Sequence, residues 1–366
     1  MDDDRPVFFH LMAYADAADR DVVDMVSGDP DWEPPEALRE GLREFADAPV
    51  ADYQYPPSEG QTELREEIAA RRGVDVERVV ITNGAGEANH QAMACGLEAH
   101  SGNEVVLTDP VYPYYSGRTE LLGGDARFVP VDADGTLDPA AVREVASDDT
   151  ALIVVCSPNN PTGAVYGESV KGELAAIAEE HDALFVSDEV YDHFDFSGDF
   201  HSALSFDSPN VAVTNSFSKS MATTGLRVGY AVLPDHLVDP VRTRHMLTNV
   251  AGPAPSQHAA LRALRETPPD YYDANRQMLR ERVDAFCDAL DAAGADYTRP
   301  RGAFYVLARF DGYPGTLENV ERLIDEAGVA GMPGEAFGSS RADWIRFALV
   351  TPRAEEAAAR LADHFG

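Results

Sequence analysis

VAVTNSFSKSMATTGLRVGY, residues 211–230, opens on a short β-rich run and passes through hydroxyls clustered around Lys219. After Arg227 it enters a second β-rich run, VGYAVLP. Two apolar runs joined by a polar link read as buried strands with a loop between their ends, where binding residues collect. Similar runs recur upstream. RVVIT, EVVLTDP, ARFVPVD, ALIVVCSP and ALFVSDEV are nearly continuous apolar segments. Helical spacing, as in AGEANHQAMACGLEA and GELAAIAEEHD, separates several of them. Such strands, interleaved with helices, predict an α/β fold with a mostly parallel sheet flanked by helices. Ligands in such sheets bind beyond the carboxyl ends of the strands. That rule picks out residues 84–86, 109–112, 157–163, 187–191 and 216–219.

Outward from the sheet the patterning changes. PEALREGLREFAD reads as a helix started by Pro34 and Pro35, and ELREEIAARRG as one closed by Gly73. The strand pattern stops near Asn249. NRQMLRERVDAFCDALDAAG is then a long amphipathic helix, RGAFYVLARF and DWIRFALV read as strands, and TLENVERLIDEAG and AEEAAARLADHF as helices. The expected organisation is an N-terminal segment (1–35) packed on a small domain, a large domain (36–250) and a smaller C-terminal α/β domain (251–366). The Pro- and Asp-rich start is expected to wrap over other elements, with a frayed end at MDDDRP.

The chain has 29 Lys and Arg against 64 Asp and Glu, a net charge of −35. Nucleic acid and anionic membranes require basic patches, so neither is an expected partner. The acids are scattered, as on a solvated acidic surface. Their excess, with few lysines, suggests a protein tuned for high salt, where the Debye length shrinks from about 10 Å at 0.1 M to about 3 Å at 1 M. Cys95, Cys156 and Cys287 are odd in number and sit in apolar contexts, as expected of reduced, buried thiols. With no apolar stretch long enough to span a membrane, a cytoplasmic location is expected. No metal is expected.

Lys171 and Lys219 are the only lysines. An amine can condense with an aldehyde, whereas a guanidinium stays protonated and delocalised. A lysine kept at a strand end therefore suggests a Schiff base with pyridoxal phosphate, the plainer alternative being an exposed lysine at a helix start. Ser216, Ser218 and Arg227 are suitable phosphate ligands. Asp188 could hold a protonated pyridine nitrogen, or simply cap a turn. Tyr191 and Asn160 could bond the ring's 3-oxygen, and Tyr112 could stack on the ring; turn formation and packing would equally explain them. NGAGEA could present the amides of Ala85 and Gly86 to an anion at a helix start. It is also a broken dinucleotide fingerprint, with Asn89 where Gly or Ala should close it. Arg346, within an apolar strand, needs an anion, either a structural carboxylate or a substrate's.

Ten segments in order, SGDPDWEPP, YQYPPSEGQTELREEIA, ITNGAGEA, DPVYPYY, SPNNPTG, SDEVY, SFSKSMATTGLRVGY, RGAFYVL, MPGEAFG and IRFAL, resemble the class I/II aminotransferases of fold type I, the aspartate aminotransferase superfamily. The resemblance implies that Lys219 carries the cofactor and moves the substrate α-proton, that Asp188 pairs with the pyridinium nitrogen, and that Tyr191 and Asn160 bond the 3-oxygen. It gives Ala85, Gly86, Ser216, Ser218 and Arg227 to the phosphate, the ring face to Tyr112, and the substrate α-carboxylate to Arg346, with Gly28 allowing close backbone approach. Tyr55 resembles the tyrosine that reaches a neighbour's phosphate, implying a homodimer with shared sites. Gly86 departs from the family's frequent Ser or Thr, and no arginine is matched to a second carboxylate.

The implied activity is amino-group transfer between an amino acid and a 2-oxo acid. A decarboxylase or β-lyase of the same fold would share these residues. A histidinol-phosphate-type aminotransferase is a variant within the family. A nicotinamide oxidoreductase built on NGAGEA is the alternative from another class.

Overall fold

The computed structural model describes residues 6–366. The end expected to fray lies, up to Arg5, outside the described residues. In chain order the strands are β1 (Val23–Asp24), β2 (Val79–Thr82), β3 (Glu104–Asp109), β4 (Asp125–Pro130), β5 (Thr150–Cys156), β6 (Leu184–Asp188), β7 (Val211–Ser216) and β8 (Gly229–Val232). They continue as β9 (Asp296–Thr298), β10 (Tyr305–Arg309), β11 (Val329–Ala330), β12 (Met332–Pro333) and β13 (Ile345–Ala348).

β2 to β8 form a seven-stranded sheet in the order β2-β8-β7-β6-β5-β3-β4. Only β8 runs against its neighbours within it. Every residue of β5, β6 and β7 is buried, which accounts for their unbroken apolar patterning, since helices cover both faces. Register then fixes the geometry at the strand ends. Cys156 pairs with Asp188 and Asp188 with Thr214, while Gly229 pairs with both Thr82 and Ser216. The turn after β2 is thereby drawn to the end of β7. A side chain at Gly229 would not fit there: its Cβ would lie 2.6 Å from the carbonyl carbon of Gly84.

The remaining strands form a four-stranded antiparallel sheet, β12-β13-β10-β9, and a parallel pair, β1-β11. Within the N-terminal segment, which was expected to wrap over other elements, the patterning had shown no helix. Val7–Ala17 is a helix, and its fully buried Leu11 joins a core with Phe286, Ile324 and Phe347. Tyr14 donates to Asp325 at 2.9 Å, and Arg20 caps the carbonyls of Asp325 and Glu326. This helix is apolar around most of its circumference, so it shows little of the one-sided spacing by which surface helices are found. Asp235–Asn249 was hidden for another reason: Pro240 lies inside it, and an internal proline reads as a helix breaker.

The three cysteines are free and buried. Among the described residues no helix is long and apolar enough to cross a membrane.

Candidate active site

A cavity of about 660 Å³ opens where β5, β6 and β7 end, lined there by Cys156, Asp188 and Ser216. Gly28, Ala85, Gly86, Tyr112, Asn160, Tyr191, Ser218, Lys219, Arg227 and Arg346 line the same space. The structure thus brings together every candidate residue named above except Tyr55, which is 83% exposed on the surface.

The turn 83–86 leads from β2 into the helix Ala85–Ala99. Gly84 at its start has φ 81°, a left-handed conformation suited to glycine. The amides of Ala85 and Gly86 belong to the first helical turn and have no carbonyl one turn back to receive them. Arg227 closes over this turn. Its guanidinium donates to the carbonyls of Asn83 (2.9 Å) and Thr224 (2.7 Å), and a Cβ at Gly84 would stand 2.5 Å from Nη2. Arg227 itself is held at φ 54°, a conformation that costs a non-glycine residue about 1–2 kcal/mol.

Asp188 makes the turn bond expected of a capping aspartate, with Oδ1 accepting from Val190 N–H at 3.0 Å. Its other oxygen accepts from Tyr115 Oη and Asn89 Nδ2, both at 2.6 Å. These partners are neutral and the residue is buried. Burial pushes its carboxyl up from the ordinary range, while the bonds from Tyr115 and Asn89 and the charge of Arg118 pull it down. Tyr191 is buried nearby, its hydroxyl 2.9 Å from that of Tyr305.

Lys219 sits in the one-turn helix Phe217–Ser220, partly buried, with Nζ donating to the carbonyl of Gly28 at 2.7 Å. Gly28 is close-packed: a Cβ there would come 2.3 Å from Tyr305 Oη. Burial pulls the amine down to about 8, against the opposing charge of Asp29 and helped by Arg346 and Arg227.

Arg346 is buried on β13. It donates to Asn160 Oδ1 at 3.3 Å and to the Val26 carbonyl, and lies over the Tyr305 ring at 4.6 Å. Among the described residues no carboxylate pairs with it, and its Nε has no partner. Among the described residues, then, the structural carboxylate that the sequence left open is not found. Asn159, not Asn160, closes the turn after β5 by accepting from Thr162 N–H and Oγ1, which leaves the Asn160 amide to the cavity. Tyr112 is half-buried, its ring 4.7 Å from Tyr114.

Lys171 is fully buried elsewhere, 3.0 Å from Glu189 and 4.4 Å from the Phe200 ring centroid.

The family model for aminotransferase class I and II matches residues 20–364. The chain belongs to the class I and II aminotransferases. The probable aspartate aminotransferase of Methanocaldococcus jannaschii is 31% identical over 91% of this aminotransferase and 90% of its own length. The aspartate/prephenate aminotransferase of Thermus thermophilus is 32% identical, covering 87% and 84%. The solved Thermus thermophilus aspartate aminotransferase with maleate superposes with a TM-score of 0.91 at 30% identity, over 99% of this chain and 96% of that one. Members of the family use pyridoxal phosphate. The nicotinamide reading falls with this membership, and the geometry gives a reason for the broken fingerprint: Asn89 turns inward to Asp188.

Asn89, Tyr115, Thr214, Tyr305 and Asp29 of the aminotransferase were not identified from its sequence as site residues. One signal was available. Tyr115 lies three residues after Tyr112, in the first turn of the helix that Tyr112 precedes.

Proposed function

We infer that this chain moves an amino group between an amino acid and a 2-oxo acid, with pyridoxal phosphate held at Lys219. The supporting observation is a set of groups on one cavity that, among the described residues, lack an ion-pair partner: a weakened amine, a buried carboxylate bonded only to neutral donors and a buried guanidinium with no carboxylate. Burying unpaired charge is costly, so the cavity is built for a ligand carrying the complements. Pyridoxal phosphate carries an aldehyde, a basic ring nitrogen and a phosphate; when bound, its protonated ring draws electrons from the substrate α-carbon.

The chain's residues then take these parts. The amides of Ala85 and Gly86, with Ser216, Ser218 and Arg227, hold the phosphate. Gly86 contributes no hydroxyl, so its amide carries more of that share. Asp188 keeps the ring nitrogen protonated. Tyr191 and Asn160 bond the 3-oxygen, and Tyr112 covers the ring face. Arg346 takes the α-carboxylate in a charge-assisted pair, beside backbone that Gly28 lets come close. Lys219 Nζ accepts the α-proton and returns it, for which an amine near neutrality is suited.

Since protonated Lys219 cannot attack an aldehyde, capture of added pyridoxal phosphate should accelerate as pH rises and level off above about 8. Stopped-flow absorbance checks this; a rate that keeps rising to pH 10 would mean an unshifted amine.

The active form is a homodimer in which Tyr55 reaches the partner's phosphate. The exposure of Tyr55 supports this. Tyr55→Phe should weaken cofactor binding about tenfold, the worth of a bond to a charged group. Mixing it with Lys219→Ala subunits should restore one full-affinity site per hybrid dimer. Recovery would not occur if Tyr55 served its own chain.

The enzyme is cytoplasmic and adapted to concentrated salt, readings supported by its free buried thiols and its net charge of −35. Its melting temperature should rise on going from 0.1 to 2 M KCl, each kcal/mol of relieved repulsion contributing roughly 2 °C. Calorimetry across that range tests it. A panel of amino acids with 2-oxoglutarate in molar KCl tests the activity: 2-oxo acid formation supports transfer, whereas CO₂ or ammonia indicates decarboxylation or elimination.

A further inference from the structure

Asn89 is a buried amide in the middle of an apolar helix face, flanked by the buried Ala88, Ala92 and Met93. A polar group so placed is costly unless its hydrogen-bonding capacity is used. Its Nδ2 lies 2.6 Å from Asp188 Oδ2, and its Oδ1 lies 2.7 Å from Thr214 Oγ1. Thr214 is fully buried on β7 and pairs in register with Asp188 on β6.

The directions of these bonds follow from the chemistry. An ionised carboxylate can only accept, so Asn89 must present its NH₂ to Asp188. Its carbonyl then faces Thr214, whose hydroxyl must donate. The chain of donors runs from Thr214 to Asn89 to Asp188 and ends on a negative charge. Were Asp188 neutral, its proton could point at a reversed amide, and the order could run backwards. As it stands, both donors, Asn89 and Tyr115, serve one oxygen of Asp188, and they favour its ionised form against the burial that raises it. Tyr115 Oη donates to the same oxygen at 2.6 Å, so two short bonds fix the plane of the carboxylate, and among the described residues no cation forms an ion pair with it.

We propose that Asn89, turned by Thr214, is a positioning residue that holds Asp188 as a carboxylate aimed into the cavity for a cationic ring nitrogen. The proposal rests on the reading of this cavity as a pyridoxal phosphate site and adds to it a residue that acts through Asp188 without touching the ligand. Leucine at position 89 would fill similar space and donate nothing. Thr214→Val would keep its shape and remove only the hydroxyl that turns the amide.

The test is a pair of equilibrium titrations on the cofactor-free protein, followed by fluorescence. One uses pyridoxal phosphate. The other uses its 1-deaza analogue, in which C–H replaces the ring nitrogen. Asn89→Leu should weaken pyridoxal phosphate binding about tenfold or more, the worth of one bond to a charged group, and leave the analogue's binding unchanged. Thr214→Val should show the same selectivity with a smaller loss, and it stands in if Asn89→Leu does not fold. Equal weakening of both compounds, or of neither, overturns the proposal: the first outcome makes Asn89 a packing residue and the second makes it idle. Wild-type protein that binds neither compound would instead remove the underlying reading of the site.

Discussion

Lys219→Ala should leave a folded protein that forms no cofactor-derived visible absorption band and turns over about 10⁴-fold more slowly, the upper range for loss of a positioned proton-transfer group. Both consequences come from one atom. Nζ is placed by the Gly28 carbonyl at 2.7 Å and weakened by burial to about 8, so it can both capture an aldehyde and exchange a proton near neutral pH. Borohydride reduction of the loaded wild-type protein, followed by peptide mapping, should put the label on the peptide containing Lys219. Lys171 provides the internal control. It has no exposed surface and its amine is committed to Glu189, so a label found there alone would reject the assignment. Near-normal transamination by Lys219→Ala would do the same.

The second large effect concerns Arg346 and has two opposite parts. Arg346→Met should raise KM for every amino acid substrate, with a loss in kcat/KM of roughly 10²-fold, within the range for truncating one partner of a buried charge pair. Arg346→Lys should not restore it, because an ammonium cannot reproduce a two-pronged bond to a carboxylate. Yet in substrate-free protein the same Arg346→Met change should leave the melting temperature level or higher. The guanidinium is buried with no carboxylate against it among the described residues, and replacing an uncompensated buried charge with an apolar side chain of similar length relieves a cost. Unchanged KM would remove the assigned role. A sharp fall in melting temperature would mean that the bonds to Val26 and Asn160 hold the fold together.

The parts of this molecule that could be read from its residues are those in which one local pattern has one physical cause. β5, β6 and β7 are buried on both faces, so their apolar runs were unmistakable. Their carboxyl ends then named most of the cavity. What escaped reading depends on packing between distant segments. Asn89 looked like the error in a glycine motif, because nothing nearby in the chain reveals that Asp188 will stand beside it. Tyr115 looked like one tyrosine among several in DPVYPYY until the helix Pro113–Leu121 aimed it at the same carboxylate. The helix Val7–Ala17 rests, through Leu11, on a core built mainly from residues beyond 280. The roles of Arg346 and Asp188 stayed open for a related reason: an absent counter-ion is visible only in three dimensions.

The placement of the two lysines has a practical side. One is sealed within the core and the other lines the cavity, so the outer face presents no lysine amine to a reagent. Glutaraldehyde and succinimidyl esters, which stitch most proteins together or fasten them to beads through side-chain amines, would find no such handle outside the cavity. Side-chain attachment would have to go through the abundant carboxyl groups by carbodiimide coupling, or through arginine. An amine-selective dye mapped to the Lys219 peptide of the native protein would in turn report on how open that cavity is.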